Sequence, residues 1–315
     1  MDIMNSSTSE FVLLGLTNTR ELEVFFFFIF LLAYAVTVAG NLLIVVTVTF
    51  DSLLYSTPMY FLLGNLSFLD MSIYTITTPK MVTDLLRENK TISLWGCMAQ
   101  MFFLHLLGGG EMTLLIVMAV DQYIAICKPL HYTSIMNRRV LVGSVLLSWA
   151  VGFVHTMSQM VFTITLPFCG PNIVDDIFCD LPRVLKLACT ETYVLELLVT
   201  VDSGLLSFIC FILLLISYTV ILVSVRRRSS GGLSKALSTL SAHISVVTVV
   251  TLFFGPCIFI YAWPFSSFSV DKFLSVFYSV ITPLMNPIIY TLRNQEMKAA
   301  MNRLRIQHIR SRQTF

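Results

Sequence analysis

Long apolar runs separated by short polar stretches organise this chain. Seven runs stand out, at about 24–50, 58–84, 95–126, 140–162, 195–225, 236–262 and 271–292. Each is long enough for a helix rising about 1.5 Å per residue to cross a hydrocarbon core of about 30 Å. Runs two and seven carry prolines and polar residues, which a bilayer tolerates when neighbouring helices re-satisfy the freed carbonyls. No internal repeat or low-complexity tract breaks the pattern. The pattern predicts one domain, an all-α membrane protein built as a seven-transmembrane helix bundle.

Composition points the same way. Apolar residues make up 56% of the 315 positions and charged residues 12%, against about 25% charged in an ordinary soluble domain. One soluble core could not hide that much apolar surface, so lipid must act as solvent. The segment from Met1 to Arg20 shows neither a basic n-region nor a small-residue cleavage site. The first apolar run is therefore expected to serve as its own signal anchor.

Basic residues set the orientation. With the N-terminus outside, Lys128, Arg138, Arg139, Arg226, Arg227, Arg228, Lys235 and the basic residues from Arg293 onward are cytoplasmic, thirteen in all, against seven on the other side. That is a positive-inside bias, with the C-terminus cytoplasmic. The expected parts are an extracellular tail at 1–23, a transmembrane domain at 24–292, and a cytoplasmic tail at 293–315 with a short amphipathic helix. The arginine triplet reads as a topological stop in contact with lipid headgroups. A net charge of +2 gives no reason to invoke nucleic acid.

On this topology Cys97, Cys169, Cys179 and Cys189 lie on the oxidising side, where disulfides persist. Four cysteines allow three pairings, and spacing does not choose among them. Cys127, Cys210 and Cys257 fall in spans or at the cytoplasmic edge and are expected to be free thiols.

Charges inside spans are costly and therefore informative. Asp70 lies about twelve residues, roughly 18 Å, past the inner start of its span. Glu111 lies midway along its own, so antiparallel neighbours could bring the two carboxylates to one depth. Two bare carboxylates would repel, so one stays protonated or a cation sits between them.

Several segments together carry a resemblance. Gly40-Asn41 lies in run one; Pro58-Met59-Tyr60-Phe61-Leu62 opens run two, and Leu66-Ser67-Phe68-Leu69-Asp70 follows. Met118-Ala119-Val120-Asp121-Gln122-Tyr123-Ile124-Ala125-Ile126-Cys127 ends run three, and Pro129-Leu130-His131-Tyr132 comes next. Ser217-Tyr218 lies in run five, and Lys235-Ala236-Leu237-Ser238-Thr239 with Ser241-Ala242-His243 begins run six. Pro283-Leu284-Met285-Asn286-Pro287-Ile288-Ile289-Tyr290 closes run seven, before Leu292-Arg293-Asn294. Each is weak alone; in this order, over essentially the whole chain, they resemble the odorant receptors of the rhodopsin-like G-protein-coupled class. Two departures stand out: Gln122 replaces the arginine of the family's Asp-Arg-Tyr motif, and Leu240 stands where the family usually has cysteine.

The resemblance implies a plasma-membrane, multi-pass receptor for a small volatile odorant, coupled to the olfactory stimulatory G protein. By correspondence, the ligand site should be lined by His105, Gly108, Gly109 and Met112 from run three, Asp202, Ser203 and Leu206 from run five, and Phe254, Ile258 and Tyr261 from run six. Gly108-Gly109-Gly110 either opens space for a ligand or lets helices pack closely. Asp202 is expected to face the cavity, with His105 as partner, and to meet a donor-bearing odorant; the bland alternative is a bond to a neighbouring helix. Phe254 and Gly255 match an aromatic–glycine pair at the pocket floor.

The family also implicates Asp70 and Glu111 in binding sodium, here with help from Asn41 and Asn286, and no other cofactor is expected. The alternative is a polar network with one carboxyl neutral. G-protein coupling is expected to fall on Asp121, Gln122, Tyr123, Tyr218, His243 and Tyr290, weakened because Gln122 lacks a fixed positive charge. The family pattern implies Cys97–Cys179 and Cys169–Cys189, with Cys97–Cys189 the runner-up. Asn5-Ser6-Ser7 is the expected glycosylation site; Asn89-Lys90-Thr91 sits close to the bilayer, and Asn65-Leu66-Ser67 lies within run two.

The competing class is a transporter or channel using Asp70 and Glu111 as an ion path, but no paired broken-helix pattern supports it. An enzyme fits least, for want of a nucleophile–base or metal-ligand constellation. Light sensing is disfavoured because run seven carries no lysine to hold retinal.

Overall fold

The computed structural model describes residues 9–17, 19–169, 172–228, 254–260, 271–285, 287 and 295–313. Four of the described helices are long and apolar enough to cross a membrane: Arg20–Phe50, Leu94–Cys127, Arg138–Thr163 and the stretch Tyr193–Ile221.

Helix α1 (Arg20–Phe50) starts with Glu21 and Glu23 in its first turn, where carboxylates meet the positive end of the helix dipole. Phe30, Thr37, Asn41, Ile44 and Val48 are buried along one stripe, while Phe28, Leu32 and Phe50 are exposed. Exposed apolar side chains over the length of a helix make a lipid-facing surface, not a water-facing one. Asp51 accepts from the Leu53 and Leu54 amides to start the short α2 (Ser52–Ser56). Helix α3 (Pro58–Asp84) has proline at its first position and runs through Pro79. It is long enough to span but buries polar side chains such as Ser67, Asp70, Thr77 and Thr78, which sets it apart from the four most apolar helices.

Helix α4 (Leu94–Cys127) is capped by Ser93, whose hydroxyl accepts from the Gly96 amide. It sits centrally, packed against α3 and against two later helices, α6 (Arg138–Thr163) and α9 (Leu206–Arg228). A short α5 (Tyr132–Ile135) precedes α6, which Asn137 caps. The short α7 (Leu181–Leu185) lies in the loop that follows, and α8 (Tyr193–Val199) runs into α9 through a π-helical turn, Thr200–Leu205. Such a turn changes the angular register of every side chain after it. Residues 254–260 are helical, as is Asp271–Val276 before a second π turn, Phe277–Ile281. A separate helix, Gln295–Gln313, lies near the chain's end.

The apolar runs did not announce a sheet, yet one closes the Cys97 end. Strand β1 (Glu10–Leu13) pairs antiparallel with β2 (Thr91–Ser93) and parallel with β3 (Ile173–Val174). Alternation along β1 turns Phe11 and Leu13 inward, and both are buried. Phe11 meets Phe168 edge-on at 5.5 Å. The sheet is pinned by ion pairs, Lys90 with Glu23 at 2.6 Å and Lys272 with Asp175 at 2.5 Å. Two disulfides hold the same end: Cys97–Cys179 with Cα atoms 5.4 Å apart, and Cys169–Cys189 at 5.8 Å. Gln100 braces the first, accepting from the Cys179 amide at 2.9 Å and donating to the Ile76 carbonyl at 3.1 Å.

Candidate functional site

A small cavity of about 50 Å³ opens between α3, α4, α6 and α9. Helix α4 supplies half of its lining residues, Leu104, His105, Gly108, Gly109, Glu111 and Met112. Ile73, His155 and Cys257 contribute from α3, α6 and the helical residues 254–260, and Ser203, Leu206 and Ser207 line the side of the π turn and α9. The mostly apolar lining with a few polar groups is that of a small-molecule site.

The glycine run does both things foreseen for it, at different positions. A side chain at Gly108 would meet nothing within 4 Å, so its absence opens the cavity. At Gly109 it would stand 3.1 Å from the Gly152 Cα and 3.3 Å from the His155 ring. Gly109 therefore allows α4 and α6 to approach backbone to backbone, as small residues do between membrane helices.

Three of the expected lining residues are not among those described as lining this cavity. Asp202 does not line the cavity. Its Oδ2 accepts from Ser158 Oγ at 2.6 Å and Gln159 Nε2 at 3.2 Å, and lies 3.2 Å from His155 Nδ1. The histidine beside Asp202 is His155, and His105 packs tilted against that ring with centroids 5.7 Å apart. At the π turn Asp202 is directed to α6, and the next residue, Ser203, faces the cavity. Phe254 and Ile258 are also absent from the described lining. Phe254 is fully buried one turn from Cys257, tilted against Phe211 at 6.1 Å. Tyr261 lies outside the described residues.

Sequence reasoning missed His155, Ser207 and Cys257. For His155 the signal was present: His155, Ser158 and Gln159 share a face at helical spacing inside an apolar span, where polar side chains are costly and therefore functional.

Asp70 and Glu111 are close neighbours across α3 and α4, both sealed from solvent. That contact needs a proton on one of them, or a cation in its place. Glu111 Oε1, Ser67 Oγ and Asn41 Oδ1 are buried with no hydrogen-bond partner among the described residues. Oxygen donors of this kind suit a hard cation. Asn41 turns its amide nitrogen to the Thr37 and Pro283 carbonyls at 3.1 and 3.2 Å, tying α1 to the segment that follows the second π turn. Asn286 lies outside the described residues.

At the far end of α4, Asp121 is buried and accepts from the Tyr132 hydroxyl at 2.9 Å. Gln122 and Tyr123 are half-buried, and Tyr218 is buried on α9. Ser217 donates to the Ala119 carbonyl at 3.2 Å, joining α9 to α4. The helix Gln295–Gln313 docks at this end: Arg303 grips Asp51 at 2.7 and 2.9 Å, and Tyr60 donates to Glu296 at 2.8 Å. Burial works against the Asp51 carboxylate, but the Arg303 guanidinium and the Leu53 and Leu54 amides outweigh it and hold the carboxyl below its ordinary value. His243, Tyr290 and Asn5 lie outside the described residues.

Apolar helices with exposed apolar faces and polar residues kept inward define a helical membrane protein. The family model described as olfactory receptor matches residues 30–308. Human olfactory receptor 4L1 is 64% identical over the full length of both chains. Human olfactory receptor 4K13 is 64% identical over 95% of this chain and 97% of its own, and human olfactory receptor 4K3 is 60% identical over 98% and 97%. The chain belongs to the olfactory receptor family, which consists of G-protein-coupled membrane receptors and not enzymes.

Proposed function

We propose that this chain is an odorant receptor that binds a small volatile molecule in the cavity around Gly108 and activates a stimulatory heterotrimeric G protein. The cavity carries the reading: its open space sits on α4, and the same helix ends at Asp121, Gln122 and Tyr123. Ligand binding beside Gly108 is thus linked through one rigid element to the end where Tyr218, His243 and Tyr290 are expected to join a coupling surface.

The receptor has seven spans within 24–292, an outer tail at 1–23 glycosylated at Asn5, and an inner tail at 293–315, and it resides in the plasma membrane. The excess of basic residues on one side and the disulfides at the other support this orientation. Asp70 and Glu111 hold a sodium ion, with Ser67 and Asn41 as neutral oxygen donors. The ion would neutralise the paired carboxylates and hold α3 to α4.

Cells expressing the intact receptor should give ligand-dependent cAMP. Gly108→Phe, which fills the cavity from a position with free space, should abolish the response while the receptor still reaches the surface. A ligand-driven ionic current without G protein, or a response untouched by Gly108→Phe, would overturn the reading.

A further inference from the structure

We propose that the cavity selects a neutral hydrogen-bond acceptor, such as a ketone, aldehyde or ester, which accepts from the Ser203 hydroxyl. This rests on the reading of the cavity as the odorant site.

Gln159 fixes the direction of the hydrogen bonds. Its Nε2 lies 3.2 Å from Asp202 Oδ2 and 2.7 Å from Ser203 Oγ. A carboxylate only accepts, so the amide nitrogen, not the amide oxygen, must face Asp202. The same nitrogen therefore donates to Ser203, which acts there as an acceptor. The Ser203 hydrogen is left over, and no acceptor for it is found among the described residues. Ser203 is 4% exposed and lines the cavity. A buried donor left unmade costs free energy that an acceptor on the ligand recovers.

Ser207, one turn further along α9, strengthens this polarity. Its hydroxyl is aimed at the Met112 sulfur at 3.7 Å, and a thioether is a weak acceptor that a carbonyl oxygen outcompetes. Both hydroxyls on this wall thus have a hydrogen to offer.

Charge makes the ligand neutral. The described lining contains no lysine or arginine, while Asp202 stands directly behind Ser203. An anionic ligand would lose its hydration and gain no counter-charge. A cationic ligand fares no better: the Asp202 carboxylate is turned away and engaged by α6, and Glu111, the acid of the described lining, is buried against Asp70. Ile73, Leu104 and Leu206 leave the rest of the cavity to a carbon skeleton.

The test is a panel in which each skeleton appears as ketone, protonated primary amine and hydrocarbon: menthone, menthylamine and p-menthane, with cyclooctanone, cyclooctylamine and cyclooctane. cAMP is read from cells carrying the intact receptor. Ketones should lead, with matched hydrocarbons and amines about tenfold weaker or silent, the worth of one hydrogen bond. Ser203→Ala should weaken the active ketone about tenfold at matched surface level, and Ser203→Thr, which keeps a hydroxyl, should retain most potency. Should Ser203→Ala not reach the surface, the ketone-to-hydrocarbon ratio on the unaltered receptor decides. Amines or hydrocarbons as potent as ketones, an unchanged Ser203→Ala, or a silent panel on a receptor present at the surface would each overturn the proposal. Gly108→Phe separates the two readings. A ketone response that survives it removes the cavity as the odorant site; a response lost there but unmoved by Ser203→Ala removes only the acceptor rule.

Discussion

The Asp202 carboxylate lies 3.2 Å from the His155 ring nitrogen Nδ1, and the two hold α6 against the π turn before α9. Ser158 and Gln159 donate to the same carboxylate oxygen. This acid is a brace between helices. Two donors and the His155 ring nitrogen converge on it, so its loss leaves groups unpaired in a partly buried place, at a cost of about 1–3 kcal/mol.

Asp202→Ala should therefore lower the melting temperature of purified receptor and its surface level. Asp202→Asn, which keeps one acceptor, should do so less. Potency at matched surface expression should shift alike for ligands with and without a hydrogen-bond donor. A selective loss for donor-bearing ligands would return Asp202 to the ligand.

How the sequence led to a different role for Asp202 is instructive. The helix boundaries and the buried acids were legible because both follow from long-range rules: apolar length sets the spans, and a carboxylate in lipid needs a partner. The π turn was not legible. One extra residue per turn rotates everything beyond it, and nothing in Thr200 to Leu205 marks that rotation. Position in a span was therefore legible for Asp202, while the choice between the cavity and a neighbouring helix was not. The β1–β2–β3 cap escaped notice for another reason. Its strands are two to four residues long, too short for alternation to stand out beside runs of apolar residues. Which glycine of the run packs and which opens the cavity was equally hidden, since Gly152, the partner of Gly109, is apolar span like any other until α6 is laid against α4.

Gln122 bears on signalling. Asp121 is held by the Tyr132 hydroxyl at 2.9 Å, and an arginine beside it would add a fixed charge with several donors. Gln122→Arg should raise the maximal cAMP response several-fold at equal surface expression, with little change in ligand potency. An unmoved maximum would mean that the Tyr132 contact already supplies what the arginine gives elsewhere.

Sodium dependence tests the Asp70–Glu111 pair. If a sodium ion rests between the carboxylates, replacing external sodium with choline should raise basal signalling, because the ion holds α3 to α4. Glu111→Gln should remove that sensitivity while leaving the receptor folded, since an amide can still bond Asp70 but brings no charge. A sodium response that persists in Glu111→Gln would leave the two carboxyls as a neutral hydrogen-bonded pair.

The outer cap should respond to pH through Asp176. Burial, and then the nearby Asp180 carboxylate, push its carboxyl up to about 7 against the opposing Ile177 amide, Arg183 and Lys272. A folded-state value raised above the unfolded one means that the folded protein binds the proton more tightly. The associated stability is fully present below the unfolded value of about 4, falls as pH rises, and is lost once pH passes the folded value. The Asp176 carbonyl also accepts from the Gly15 amide at 3.1 Å, so ionisation strains the junction between the N-terminal segment and the loop carrying Cys179. The melting temperature of the purified receptor should therefore fall by several degrees between about pH 5 and about pH 8. Asp176→Asn, neutral throughout, should flatten that slope and be the more stable form at the alkaline end. A slope unchanged in Asp176→Asn would assign the pH dependence to another group.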